Sequence, residues 1–161
     1  MPSLKGKCFL LSHNNLETHS ILSNDPVASK IEFECFNDPE RLLTRLTEKP
    51  DLLVVDHTRN SPFDLQWLEQ TKKHFSNQRI LLLVPIDQLD VGIESLRYGV
   101  ETYLLKTGNF AQKLTSKIEN MLLREKLKRQ HKTNRFAMSV IFSGLSALVL
   151  MMVVNIYIAT I

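Results

Sequence analysis

The 26 residues at positions 136–161 contain no charged side chain. As a helix they would extend roughly 39 Å at about 1.5 Å per residue, which exceeds the ~30 Å hydrocarbon core of a bilayer. A helix buried in a soluble protein rarely continues past about 14 apolar residues without a polar face. The segment therefore predicts one transmembrane helix rather than a buried core helix, and the remaining chain must fold outside the membrane.

A basic segment, residues 124–135, lies directly before this stretch and carries six basic side chains and one acidic side chain. Because positive charge concentrates on the cytoplasmic flank of a membrane helix, we expect a single-pass protein of the cytoplasmic membrane, anchored by its tail, with its N-terminal domain in the cytoplasm. We also expect no signal peptide, since residues 1–7 lead directly into a strand-like run. Each basic residue near the surface attracts anionic lipid by about 1 kcal/mol, so Arg124–Arg135 is predicted to bind membrane lipids.

Residues 1–123 are long enough to form one domain with its own core. They hold 14 basic and 16 acidic residues, so the positive charge of the chain comes from the basic segment and does not indicate nucleic-acid binding. Cys8 and Cys35 both lie in apolar, strand-like runs and are predicted to be reduced packing residues. We expect no metal centre built from Cys and His, because no suitable spacing of these residues occurs.

Strand-like and helix-like patterns alternate five times in this domain. The run Leu52–Val55 is continuously apolar, as expected for a strand that is buried on both faces of a parallel sheet. The predicted strands are 7–11, 31–36, 52–55, 79–84 and 102–105, and the predicted helices are 16–23, 38–49, 62–75, 89–98 and 110–129. This order predicts an α/β domain with a doubly wound, five-stranded parallel sheet, followed by a long helix and the transmembrane helix. In such folds the functional residues lie at the carboxyl ends of the strands.

Polar side chains stand at those ends. Asp56 follows the third strand and Lys106 follows the fifth, while Ser12 and His13 follow the first. A carboxylate and an ammonium group that face each other across the strand ends form an electrostatic pair. Two interpretations stay open: a chemically active site, or a salt bridge that only fixes the ends of the strands.

Residues 5–123 resemble the receiver (response-regulator) domain family of two-component signalling. The resemblance rests on Pro50–Asp56, which is similar to the phospho-acceptor strand, and on Gly99–Lys106, which is similar to the final strand with its lysine. It implies that Asp56 is the candidate phosphoryl acceptor, that Lys106 contacts the acyl phosphate, and that Tyr103 is the aromatic switch residue. It also implies a histidine kinase or another signalling protein as partner.

The chain departs from the family pattern at three places. The family usually ends its first strand with two acidic residues, which bind Mg²⁺ together with the acceptor aspartate, and Ser12 and His13 stand at those positions here. The family also has a hydroxyl residue after the fourth strand and a Lys-Pro step after the fifth. This chain has Val84-Pro85-Ile86 and Lys106-Thr107 instead. We therefore expect a degenerate receiver, or pseudo-receiver, that acts by protein–protein interaction without a cofactor.

The alternative function is a working phosphorelay receiver that accepts a phosphoryl group on Asp56 and requires Mg²⁺. An enzyme of another kind is not expected, because the sequence holds neither a glycine-rich phosphate loop nor a nucleophile–base set.

The last helix of the domain carries an apolar stripe that is predicted to pack on the sheet: Phe110, Leu114, Ile118, Met121 and Leu122. Beyond it, Leu123 and Leu127 could pair with a second copy as a short coiled coil, which would give a homodimer. They could equally rest on lipid headgroups in a monomer, and the sequence does not decide between the two.

Overall fold

The computed structural model describes residues 6–13, 15–24, 31–59, 61, 64–128, 142–143, 146 and 151–152. The chain divides into two compact units, Met1–Leu123 and Arg124–Ile161. In the first unit five parallel strands form one sheet in the order β2-β1-β3-β4-β5. The strands are β1 (Lys7–Ser12), β2 (Glu32–Phe36), β3 (Leu52–Asp56), β4 (Ile80–Pro85) and β5 (Thr102–Lys106). The predicted five-stranded parallel α/β fold is confirmed.

Helices connect the strands. They are α1 (Asn15–Asn24), α2 (Pro39–Arg45), α3 (Leu65–His74), α4 (Leu89–Ser95) and α5, which covers residues 110–128. Asp38 caps α2, because its side chain accepts a hydrogen bond from the Glu40 amide and Pro39 follows it at the first helical position. The helix predicted from residue 62 begins at Leu65 instead, where the Asp64 side chain accepts the hydrogen bond of the Trp67 amide.

Two hydrophobic layers cover the sheet. Side chains of a strand alternate between its two faces, so Leu52 and Val54 enter one layer while Leu53 and Val55 enter the other. The first layer includes the apolar stripe of α5, which is buried as predicted: Phe110, Leu114, Ile118, Met121 and Leu122. The second layer receives residues of α2 and α3, together with Tyr103 and Trp67 as partly buried members.

Arg79 links α5 to the amino end of the sheet through hydrogen bonds. Its guanidinium group binds both carboxylate oxygens of Glu101 at 2.6 Å and also donates to the backbone carbonyl of Met121. The Arg79 side chain is only 11% exposed. One residue therefore connects the start of β4, the start of β5 and the interior of α5.

Among the described residues, no helix is both long and apolar enough to cross a membrane. Most of the predicted transmembrane segment, and residues 129–135 of the basic segment, lie outside the described residues.

Candidate functional site

The candidate site lies at the carboxyl ends of three strands. Ser12 is the last residue of β1 and pairs in register with Asp56, the last residue of β3. Lys106 ends β5 and lies opposite Pro85 of β4. The sequence predicted that these residues follow their strands. Instead they are the final residues of the strands, so sheet hydrogen bonding fixes their backbones.

The structure brings Asp56 and Lys106 together. The Lys106 Nζ atom lies 2.6 Å from Oδ1 of Asp56, and the side chains are 22% and 4% exposed. No described residue gives Oδ1 an aligned hydrogen bond, so the contact with Lys106 is an ion pair rather than a directed hydrogen bond. The ammonium group also lies 5.9 Å from the centre of the Phe110 ring, where the ring attracts a cation.

The second oxygen of Asp56 is held by two hydroxyl groups. Thr18 of α1 donates from Oγ1 to Oδ2 at 2.6 Å, and Ser12 donates from Oγ to the same atom at 3.3 Å. Thr18 and Ser12 are each only 1% exposed. The carboxylate therefore has internal partners on both oxygens, as buried polar groups usually do.

Sequence analysis did not identify Thr18 as a site residue. A signal was present, however, because Thr18 lies four residues before Leu22 and so shares its face of α1, and Leu22 is buried in the core. A threonine on the core-facing side of a helix needs a hydrogen-bond partner, and Asp56 supplies one.

The residues at the end of β1 do not fit a magnesium site. Mg²⁺ prefers carboxylate oxygens and water, whereas Ser12 offers a hydroxyl that already donates to Asp56, and His13 is exposed. In the described part of the chain, no group of three or more His, Cys, Asp or Glu side chains could hold a metal ion. Mg²⁺ chemistry of the usual receiver type has no complete donor set among these residues.

Tyr103 of β5 packs against α4. A Cβ atom built at Gly92 would lie 2.8 Å from Cδ2 of the Tyr103 ring, which shows that the ring fills the space beneath this glycine. Tyr103 also packs against the second hydrophobic layer. The aromatic ring of Tyr103 and the Gly92 position of α4 are therefore in close contact.

The remaining strand ends lack the hydroxyl group that the family places after β4. Pro85 ends this strand and Ile86, which follows, is exposed. The Thr107 hydroxyl accepts a hydrogen bond from Nζ of Lys113 at 3.2 Å. No described hydroxyl group after β4 is thus aimed at Asp56.

His57 follows Asp56 and is half-buried, with its amide donating to the Leu83 carbonyl at 2.9 Å. Burial lowers the pKa of the His57 imidazole below its usual value; the charge of Asp56 opposes this effect and that of Lys106 adds to it. The ring is therefore predominantly neutral at physiological pH.

No protein-family model matches the sequence, and no curated protein gives a significant match. The fold does match solved structures. NtrX from Brucella abortus in complex with ADP is 18% identical, with a TM-score of 0.65 over 78% of this chain and 29% of that chain. A response regulator receiver domain protein from Clostridium thermocellum is 21% identical, with a TM-score of 0.62 over 76% of this chain and 98% of the other.

The receiver domain of the Francisella response regulator 1452 is similar at 20% identity, with a TM-score of 0.61 over 74% of this chain and 98% of that domain. The chain spans less than a third of the length of NtrX, but almost all of the isolated receiver domains. These likenesses show that Met1–Leu123 has the receiver-domain fold.

Proposed function

We propose that this protein is a degenerate receiver that acts by protein–protein interaction at the cytoplasmic face of the membrane, without phosphorylation. The observation that supports this proposal most directly is that the Asp56 carboxylate is buried and both of its oxygens have partners within the domain. This carboxylate is almost completely buried, with Lys106 at 2.6 Å on one oxygen and Thr18 at 2.6 Å on the other. An incoming phosphoryl group would have to displace these partners, and the part of the chain that the structure describes offers no set of carboxylates to bind a balancing Mg²⁺.

The structural role of the pair follows from its position. The Asp56–Lys106 ion pair joins the ends of β3 and β5, and the Thr18 hydrogen bond joins α1 to the same carboxylate. Removing one member of a buried ion pair leaves an uncompensated charge, which strongly destabilises a protein. In this proposal the Asp56–Lys106 pair stabilises the fold. The surface of the domain binds a histidine kinase or another signalling protein.

Attachment to the membrane is the second part of the proposal. It is supported by the uncharged segment 136–161 and by the basic residues Arg124–Arg135 that precede it. Of the described residues in the uncharged segment, all five are helical, and Phe142, Met151 and Met152 are 68%, 70% and 71% exposed. The exposure of these large apolar side chains supports a lipid surrounding.

The alternative function is a phosphorelay receiver that uses Asp56 as acceptor. Its support is the presence of both Asp56 and Lys106 at the carboxyl ends of β3 and β5, in contact with each other. This function requires that Thr18 and Ser12 release Oδ2 and that Mg²⁺ binds with Asp56 as its single carboxylate ligand.

The deciding experiment measures the intact mass of the purified chain after treatment with acetyl phosphate, with and without Mg²⁺. The Asp56→Asn variant is the matched control. We expect no gain of phosphoryl mass under any condition, because the carboxylate is engaged and the described residues around it include no further carboxylate to hold Mg²⁺. A gain of one phosphoryl group that needs both Mg²⁺ and Asp56 would refute the proposal in favour of the phosphorelay receiver.

A further inference from the structure

Lys72 lies in the last turn of α3 and is half-buried. Its Nζ atom donates hydrogen bonds to the backbone carbonyls of Ser76 and Gln78, each at 2.8 Å. The side chain of Lys73, the next residue, is 69% exposed and forms an ion pair with Glu69 at 2.8 Å. Among the described residues, by contrast, no carboxylate lies within ion-pair distance of Lys72. The Lys72 nitrogen is therefore held by the backbone of the loop between α3 and β4, and not by an acidic side chain.

The aliphatic part of Lys72 packs beneath the turn at Gly99, which precedes β5. Gly99 has a φ of 86°, in the left-handed region that favours glycine. A Cβ atom built at this position would lie 3.0 Å from Cε and 3.1 Å from Cγ of Lys72. The turn confines the side chain, and the two carbonyl groups fix the nitrogen at its end. A group that is positioned in this way loses little further freedom when it reacts.

The two carbonyl groups match the hydrogen-bonding capacity of a neutral amine. An ammonium group has three N–H donors and no lone pair, whereas a neutral amine has two donors and one lone pair. The carbonyls of Ser76 and Gln78 accept both donors of the neutral amine, so its lone pair stays available. A third N–H of the ammonium form has no acceptor among the described residues.

The electrostatic surroundings also favour the neutral amine. Burial lowers the pKa of the Lys72 ammonium group below its usual value, and the charge of Glu101 opposes this effect. Arg79 binds both oxygens of Glu101 at 2.6 Å, which weakens that opposition. Lys72 thus carries more of the nucleophilic amine at a given pH than an exposed lysine does.

We propose that Lys72 is a site of Nε-acylation by a small activated acyl group, carried as an acyl phosphate or an acyl thioester. The lone pair of Nζ attacks the acyl carbon and forms an N–C bond. The bond from this carbon to the phosphate oxygen or the thioester sulfur breaks, and the leaving group keeps the bonding electron pair. The nitrogen loses one proton, which the leaving group takes up. The inference goes beyond the proposed function and does not involve Asp56.

Acylation would change what holds the loop between α3 and β4. The amide that forms has one N–H donor, so it cannot serve the carbonyls of both Ser76 and Gln78. It also carries no charge and adds an acyl group beside the turn at Gly99. We therefore expect acylation of Lys72 to loosen this loop from α3, as a second input to the domain besides phosphorylation.

The test measures the acetylation rate of each lysine in the purified full chain at pH 8. Acetyl phosphate without Mg²⁺ and acetyl coenzyme A are used in parallel, and mass spectrometry after digestion with a protease that does not cleave at lysine assigns the sites. Lys73 is the internal control, since it follows Lys72 on the same helix. We expect Lys72 to react at least about ten-fold faster, which corresponds to about 1.4 kcal/mol. The donor that gives this preference is the class that acylates the site.

A denatured control and two variants show whether the fold causes the preference. In guanidinium chloride Lys72 and Lys73 should react equally. Gly99→Asn keeps the left-handed backbone accessible but places a Cβ atom against the Lys72 side chain, so the rate at Lys72 should fall to that at Lys73. Gly108→Asn is the matched control, because a Cβ atom there meets nothing within 4 Å, and it should leave the preference unchanged.

A Lys72 that reacts no faster than Lys73 with either donor would overturn the inference. So would a preference that persists in guanidinium chloride or in a folded Gly99→Asn variant. Hydrogen exchange of the amides at 76–79 should accelerate in the chain acetylated at Lys72, and unchanged exchange would refute the effect on the loop. The proposed function fails on a phosphoryl group at Asp56 and this inference on the acetyl group at Lys72, so the two outcomes are distinguishable by mass and by residue.

Discussion

Asp56 has two carboxylate oxygens, and different elements of the fold hold them. Lys106 of β5 holds Oδ1, while Thr18 of α1 and Ser12 of β1 hold Oδ2. A hydrogen bond to a charged group contributes more than one between neutral groups, so the short Thr18 bond is the largest hydroxyl contribution at the site. The site is consequently a structural junction as well as a candidate for chemistry.

Thr18→Val tests this role at the scale of one residue. Valine has nearly the shape of threonine, so the substitution removes the hydrogen bond and leaves the packing. We expect the free energy of unfolding to fall by about 1.5–3 kcal/mol, because the carboxylate loses a charge-assisted bond in a buried position. Urea unfolding followed by circular dichroism measures the change.

Thr18→Ser is the control for this substitution, since it keeps the hydroxyl group and should unfold at nearly the same urea concentration as the parent. A Thr18→Val variant as stable as Thr18→Ser would show that the hydroxyl contributes nothing to Asp56.

At the scale of the element, α4 shows how far periodicity predicts packing. The spacing of Leu89, Ile93 and Leu96 alone would assign these residues to the core, because one apolar face is the usual sign of a buried side. In the structure that side is exposed, and the small residues Gly92 and Ser95 face the sheet. The reason is Tyr103, whose ring takes the space that larger side chains of α4 would occupy.

Gly92→Ala makes this packing measurable. Helix propensity by itself would favour alanine by about 1 kcal/mol. The added Cβ atom would meet the Tyr103 ring at 2.8 Å, and overpacking of this kind costs about 1–3 kcal/mol. We expect a net loss of stability, because the Tyr103 ring, which packs against the second hydrophobic layer, has to shift to admit the Cβ atom.

The matched background is Tyr103→Ala, in which the space beneath residue 92 is open. There the same Gly92→Ala substitution should stabilise the protein, so the sign of the effect reverses between the two backgrounds. Equal effects in both, measured by thermal unfolding, would show that the ring does not limit the position of α4.

At the scale of the whole molecule, the alternation of apolar runs and helical patterns predicted the fold correctly. Strands such as Leu52–Val55 are buried on both faces, so they appear in the sequence as continuous apolar runs. Such runs can be recognised without any knowledge of tertiary contacts. The pairing of Asp56 with Lys106 followed from the fold, because the strand ends of a parallel sheet meet at one edge. Thr18 was missed because its partner lies 38 residues away and on another element.

The two cysteines report on the integrity of the whole domain. Cys8 is fully buried in β1, and burial, aided by the charge of Asp51, raises the pKa of its thiol to about 12. Since the thiolate is the reactive form, Cys8 should not react with thiol reagents in the folded protein at pH 8. Cys35 of β2 is only half-buried and should react first, although burial raises its pKa as well.

In a Cys35→Ser variant, labelling of Cys8 should require global unfolding and accelerate with urea in step with the loss of structure. Raising the pH from 7 to 9 should not start labelling of Cys8 in the folded protein, because its thiol stays protonated throughout this range. Mass spectrometry after timed labelling measures both effects. Rapid labelling of Cys8 without denaturant would mean that β1 opens locally, and it would contradict the expectation that the core unfolds only as a whole.

The hydrogen bonds of Arg79 to Glu101 and Met121 provide a path along which force on α5 can reach the sheet. If the C-terminal segment is fixed in a membrane, any force between membrane and domain enters along α5. Met121, whose carbonyl is bound by Arg79, lies close to the end of the first compact unit. Arg79 passes the tension to Glu101 and so to the starts of β4 and β5. Through Arg79, force thereby reaches the amino edge of the sheet, in addition to the covalent path from the start of α5 back to Lys106 at the opposite edge.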